Sequence, residues 1–449
     1  MESDRLRMWR ETLRTSLWPV PVLMLVGAGV LFALLGWADT RLSNEEALRR
    51  WWLHSGSGDD ARNLLSTLVS AIITMSSVVL SITVVTLTLA ANQFGSRLVR
   101  VYMSDLRTKL SLGLFVMTIV FCLLVLRSVR QDMPAAEVPH LSVTTGLALG
   151  IACVVVMLLF LHNVAHSIVA DVVVERVGRD LEESVDSLPL IGPAPQPGAI
   201  EAPLHADAAH AGAIVASQDE GYVQSIRYEE LVAAAQQQDV VLRLSFRAGD
   251  FMCRGGWLAE VVAPAGTGPT PELVAAVRHA SLIGPTRTPT QDLEFSLRHL
   301  VDLALRALSP GINDPNTALV VVDRLRGALS RLMGRELPAG LYHDDSGRLR
   351  VIGKHHRHGD LLDAAFHQIR QAAEHQPSVI IGMLNAVGRL AEHACRPDQC
   401  EALWRHAHLI ADTGLRGTAG ENDRQDIERA LGSVERKLRA MRGSLGGLA

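Results

Sequence analysis

Lysine is nearly missing from this chain: of its 43 basic residues only Lys109, Lys354 and Lys437 are lysine, and none completes a GxxxxGK[ST] loop. A P-loop nucleotide site is thereby excluded. Charge as a whole is thin, at 20% of residues, and nearly balanced at a net −4. With no basic excess, nucleic acid is not expected as a partner. Cysteine is sparse and odd in number (Cys122, Cys153, Cys253, Cys395, Cys400), and two of the five sit inside apolar runs. This is no disulfide framework, and a reducing compartment for the polar part fits better. Catalytic signatures are lacking as well: there is no Ser/His/Asp or Cys/His motif and no recognisable carboxylate pair in an apolar setting. The expectation is a protein that is not an enzyme, with no catalytic residues and no cofactor.

What the chain has in excess is apolar length. Its 449 residues are 48% hydrophobic, and the excess is concentrated near the N-terminus. Leu17 to Ala38, Asn63 to Ser96, Leu110 to Leu126 and Leu141 to about Leu161 are free of Asp, Glu, Lys and Arg. At ~1.5 Å per residue, such runs cover the ~30 Å hydrocarbon core of a bilayer. The second is longer than the bilayer requires and must tilt or project, while the short third run has Lys109 and Arg127 at its ends to snorkel to the headgroups. Eight basic residues lie on the side of the N-terminus and six on the other. With an even number of spans, that bias places both the N-terminus and the C-terminal region in the cytoplasm.

The second run carries a pattern. Thr67, Ser70, Thr74, Ser77, Ser81 and Thr88 follow spacings of three, four and seven, which puts six hydroxyls on one helix face. Two readings stand open: a close-packed helix contact or self-association seam, or a narrow wet path lined by several copies. His162 and His166, one turn apart at the end of the fourth run, are weak candidates for a metal. They lack the glutamate of HExxH and any further ligand fixed by spacing, so no metal is expected.

Beyond the spans, residues 171–187 read as an amphipathic stalk and the prolines of 188–205 mark a linker. A small β-rich α+β module is expected over 206–284 and a mainly helical domain over 285–449, so the fold class is four transmembrane α-helices (residues 1–170) followed by a soluble α+β region. The turns at Gly249-Asp250 and Gly255-Gly256 are similar, over a short stretch, to half of a biotinyl or lipoyl barrel-sandwich, but no modifiable lysine lies between Lys109 and Lys354. Thr290 is placed to cap a helix running to Leu308, with Arg298, Asp302 and Arg306 as i, i+4 surface pairs. Ser309-Pro310-Gly311-Ile312-Asn313-Asp314-Pro315 follows. Gly311 permits positive φ there, Asn313 or Asp314 can cap, and N–H groups at the next helix start can hold an anion. Ser309, Gly311, Asn313 and Asp314 therefore form a candidate ligand loop, for which a plain structural turn is the competing reading. His355, His356 and His358 read as a solvated surface.

The run Ser76 to Arg97, ending Ala90-Ala91-Asn92-Gln93-Phe94-Gly95-Ser96-Arg97, the run Arg287-Thr288-Pro289-Thr290-Gln291-Asp292-Leu293-Glu294-Phe295 and the run Ala307-Leu308-Ser309-Pro310-Gly311-Ile312-Asn313-Asp314-Pro315 together resemble the bacterial predicted membrane proteins grouped as domain of unknown function 2254. The resemblance covers nearly the whole chain and implies a multi-pass inner-membrane protein with a soluble C-terminal part. It brings no activity and no site residues. The functional expectation is an oligomeric, channel-like protein with a cytoplasmic regulatory domain, or a non-conducting membrane-anchored scaffold or ligand sensor. Its partners are the lipid bilayer, further copies of itself, and a small ligand of unknown kind.

Overall fold

A computed structural model describes residues 18–41, 56–94, 105–167, 170–191, 212–263, 268–289 and 291–446. The chain divides into two compact units, Met1–Val172 and Val173–Ala449.

The first unit holds four helices long and apolar enough to cross a membrane: α1 (Pro19–Arg41), α2 (Gly58–Phe94), α3 (Leu106–Ser128) and α4 (His140–Ser167). In a bilayer every backbone N–H and C=O must be satisfied within the segment, so charge-free runs of this length become helices. α3 packs against α1, α2 and α4, with Phe115, Phe121, Leu65 and Ile72 fully buried between them. Gly113 is the point of close approach to α1, since a Cβ there would lie 2.4 Å from Met24 Sδ. Asp39, at the end of α1, caps its neighbour α4: its carboxylate accepts from Leu141 N (2.9 Å), Ser142 N (3.1 Å) and Ser142 Oγ (2.6 Å). A negative group at that N-terminus meets both the unpaired amides and the helix dipole. Lys109 departs from the snorkelling expectation and is buried within the unit, while Arg127 is exposed. The side chain packs one turn inside α3, behind the Asp105 cap.

The second unit begins with α5 (Ala170–Asp186), whose Val174, Val177, Leu181 and Val185 are buried. α5 lies along α9 (Pro315–Met333). Arg331 reaches Glu182 (3.1 Å) and Asp186 (2.7 Å), and Arg335 reaches Asp186 (2.8 Å). The acidic face of α5 meets the arginines at the end of α9, and backbone bonds from Ile191 N to Gly334 O and from Glu336 N to Pro189 O extend the join.

Two sheets and two helices follow. β1 (Ala213–Ala216), β3 (Val241–Leu244), β5 (Trp257–Val262), β7 (Leu341–His343) and β8 (Leu349–Ile352) form a sheet in the order β1-β5-β3-β8-β7. β2 (Gly221–Ile226), β4 (Phe251–Met252) and β6 (Ser281–Gly284) form a second, in the order β4-β2-β6. α6 (Tyr228–Gln237) and α7 (Pro271–Ala280) complete the layer. Val223, Leu231, Leu242, Leu258, Val277 and Val351 share one core. β3 pairs parallel with β8, Leu242 opposite Val351, so a hairpin from beyond residue 284 finishes the sheet. This parallel pair and the interposed helices part the fold from the short barrel-sandwich likeness.

The remainder is helical: α8 (Leu293–Ala307), α9, α10 (His358–Ala372), α11 (Pro377–Leu390), α12 (Pro397–Gly417) and α13 (Glu421–Gly446). Thr290 lies outside the described residues, and Asp292 caps α8, accepting from Phe295 N at 3.0 Å. The Arg287–Phe295 run straps the small sheet to this helix. Gln291 mimics a strand neighbour, accepting from Ile226 N and donating to Ile226 O, and Thr288 Oγ1 donates to Gln224 O. Arg298 pairs with Glu294 (2.6 Å), which also faces Arg247 at 2.9 Å.

Candidate functional site

The hydroxyl stripe of α2 has a definite place. The helix turns Ala61, Leu65, Ile72, Val79, Thr83 and Thr86 into its own bundle, all buried. Thr67, Ser70, Thr74, Ser77, Ser81 and Thr88 lie on the opposite side and are exposed, among the exposed apolar side chains Ile73, Val78, Leu80, Val84, Val85 and Leu89. Five of the hydroxyls donate to the carbonyl one turn back: Thr67 to Asn63 (2.7 Å), Ser70 to Ser66 (2.9 Å), Thr74 to Ser70 (3.0 Å), Ser77 to Ile73 (3.1 Å) and Thr88 to Val84 (2.9 Å). Each donor is thereby satisfied without water. The oxygen lone pairs remain, so the face can accept hydrogen bonds or coordinate a cation, and it is narrow enough for a second helix to approach.

In the Ser309–Pro315 loop several polar groups are already engaged. Ser309 Oγ donates to Arg306 O (2.7 Å), Asn313 N to Ser309 O (2.8 Å) and Asp314 N to Ala307 O (2.7 Å). The positive φ falls on Asn313 (49°), not on Gly311, because the turn places its left-handed residue just before the cap, where an asparagine is tolerated. Asp314 caps α9, accepting from Thr317 N (3.1 Å) and Thr317 Oγ1 (2.6 Å), and these bonds hold its carboxyl below the usual carboxylate range. The start of α9 thus carries its own anion, the Asp314 carboxylate. His162 is exposed on α4, and the side chain of His166 lies outside the described residues.

The family of predicted membrane proteins DUF2254 matches residues 14–389. The chain belongs to this family. Uncharacterized proteins of Mycobacterium bovis and Mycobacterium tuberculosis are 30% identical to it over 402 residues, covering 86% of this chain and 74% of theirs. No solved structure matches.

In this DUF2254 protein the structure also assembles side chains that the sequence left scattered. Among the described residues, Asp363, His367 and His406 are the one group of three metal-ligand types whose donor atoms all lie within 4.8 Å of one another. Asp363 and His367 stand one turn apart on α10, and α12 delivers His406. The traceable signals were the i, i+4 spacing and a histidine on the apolar face of its helix. Burial pushes His406 down to about 4, so at neutral pH it is an uncharged imidazole. The solvated reading fails for two of the three histidines after Lys354: His358 is buried, and His356 has its Nδ1 buried without a partner. The backbone leaving β8 turns these rings inward toward α8 and α9. Burial, with Arg247 nearby, pushes His356 down to about 4.

Proposed function

We propose that this protein works as a homo-oligomer in the bacterial inner membrane, with α2 at the contact between copies, a channel-like path along its hydroxyl face, and the second unit as a cytoplasmic regulator. The observation that supports this is the outward stripe. Thr67 to Thr88 spans about 32 Å of helix, as much as the ~30 Å hydrocarbon core, and a track of that length exceeds what a local helix contact requires. Because the stripe faces away from the chain's own bundle, a path along it needs further copies. No Asp, Glu, Lys or Arg interrupts Asn63 to Ser96, which favours passive passage over a proton relay. The basic bias toward the N-terminal side supports the cytoplasmic orientation.

The bonds that five stripe hydroxyls make within α2 favour a second reading, in which the same seam is dry and the oligomer is a scaffold or sensor. One experiment separates them: single cysteines from Thr67 to Thr88, in membranes, with native cysteines replaced and a membrane-impermeant thiol reagent. Labelling at Thr67, Thr74, Ser81 and Thr88 deep in the bilayer supports the path, and flux measurements follow. Stripe positions that resist the reagent yet cross-link between copies support the dry seam. Neither labelling nor cross-linking refutes both.

A further inference from the structure

The carboxylate of Asp363 has an unusual number of partners on one atom. His406 Nε2 lies 2.8 Å from Asp363 Oδ1 and His367 Nε2 lies 3.2 Å from the same oxygen, while Arg405 Nη2 also contacts it. The three donor-bearing residues sit on helices packed against each other, α10 and α12. His406 is completely buried, beside Phe366 and with its ring centroid 5.1 Å from that of His367.

We infer that Asp363, His367 and His406 form a binding site for a divalent transition-metal ion of the zinc class. Two imidazole nitrogens and one carboxylate oxygen are a donor set for such ions, whereas calcium and magnesium require mostly oxygen ligands. Tetrahedral bonds of about 2.0–2.1 Å put neighbouring donor atoms roughly 3.3 Å apart. The two Asp363–histidine separations of 2.8 and 3.2 Å need only a few tenths of an ångström of opening, and all three donor atoms lie within 4.8 Å of one another. The backbone positions are fixed by two helices, so the site is largely preformed. Access exists as well, because the side chains of Asp363 and His367 are 31% and 33% exposed.

Two further features set the behaviour of the site. Arg405, with its side chain 48% exposed, occupies the carboxylate when the ion is absent and is free to swing into solvent, so guanidinium and metal compete for Asp363. The Nδ1 atoms of His367 and His406 are buried without a protein partner. Metal-binding histidines ordinarily donate that N–H to a carbonyl or carboxylate, and losing such a partner weakens binding about 10–100-fold. A micromolar site with three protein ligands and an open position is expected, joining α10 to α12.

The test uses full-length protein in detergent, stripped with a chelator and titrated with zinc chloride against a chromophoric competitor, with bound zinc counted by mass spectrometry. Cobalt(II) titration supplies a second readout through its visible absorption. One equivalent per chain is expected, with tetrahedral cobalt bands. His367→Ala, at a partly exposed position that tolerates truncation, and Asp363→Asn should each weaken zinc at least tenfold and abolish the bands. Arg405→Gln should tighten zinc severalfold, an effect that a site elsewhere among the 17 histidines would not show. Absence of saturable binding, or binding unchanged in both His367→Ala and Asp363→Asn, overturns the inference.

Discussion

Asp292 does two jobs at the start of α8, and substitutions can separate them. Its Oδ1 caps the helix through Phe295 N, and its Oδ2 meets Arg287 at 2.7 Å with the carboxylate side chain 1% exposed. Gly249 closes over the pair, since a Cβ there would lie 2.1 Å from Asp292 Oδ2. Burial raises the carboxyl above its usual range in spite of the Arg287 guanidinium, so desolvation outweighs the ion pair. Asp292→Ala removes the cap, about 1 kcal/mol, and orphans Arg287. Breaking a buried pair costs about 3–5 kcal/mol, but the Arg287 side chain is 20% exposed and can recover part of its hydration. A total loss of about 2–4 kcal/mol follows. Asp292→Asn keeps the cap acceptor and the shape but turns an amide NH2 toward the Arg287 donors, so it should lose less than the alanine variant by about the 1 kcal/mol of the cap. The assay is urea unfolding of residues 173–449, followed by the fluorescence of Trp257 and Trp404 at constant slope. If the asparagine variant loses as much as the alanine variant, the charge and not the cap holds this helix start, and the reasoning fails.

The depressed His356 gives stability a pH dependence of known sign. Its imidazole, facing Arg247, Glu294, Asp250 and Asp360, resists protonation until about 4 in the folded chain, whereas the unfolded chain takes up the proton near 6.5. Stability is therefore flat above neutrality and falls as pH drops from about 6.5 towards 4, by on the order of 1–2 kcal/mol between pH 7 and 5. Unfolding of His356→Leu over that range should show a shallower slope than the parent, and identical slopes would refute the assignment. Two helical glycines should respond to alanine with opposite signs. In α13, a Cβ on Gly432 meets nothing within 4 Å, so Gly432→Ala should gain about 0.8–1 kcal/mol from helix propensity. In α12, a Cβ on Gly417 would stand 2.0 Å from the Glu374 carbonyl oxygen, so Gly417→Ala should lose about 1–3 kcal/mol. Thermal melts of both decide the matter, and a shared sign would mean that the contact at Gly417 relaxes freely.

Much of the element list was legible along the chain. The four charge-free runs are α1 to α4, and a mixed region of helices and small sheets follows them as expected. Helix starts were less legible, because the groups that set them are specific. α8 uses Asp292, and α4 borrows a carboxylate from Asp39 more than a hundred residues earlier. The candidate loop was readable as a turn but not as a filled one, since only coordinates show that Asp314 occupies the start of α9 and that Asn313 takes the positive φ.

By itself, then, the sequence determined that this is a membrane protein with four apolar helices of spanning length among the described residues and a mixed α+β region after them, since a bilayer makes any long charge-free run satisfy its own backbone and amphipathic period reports local burial. Tertiary structure decided what meets what: β8 against β3, α5 along α9, His406 over Asp363. It also decided which face of α2 is turned inward. In water a hydroxyl stripe would mark the solvent side, but in lipid the bundle interior and its surroundings are equally apolar, so the stripe names a face without saying where that face looks. Only the packing of α2 on α3 and α4 shows that it looks outward.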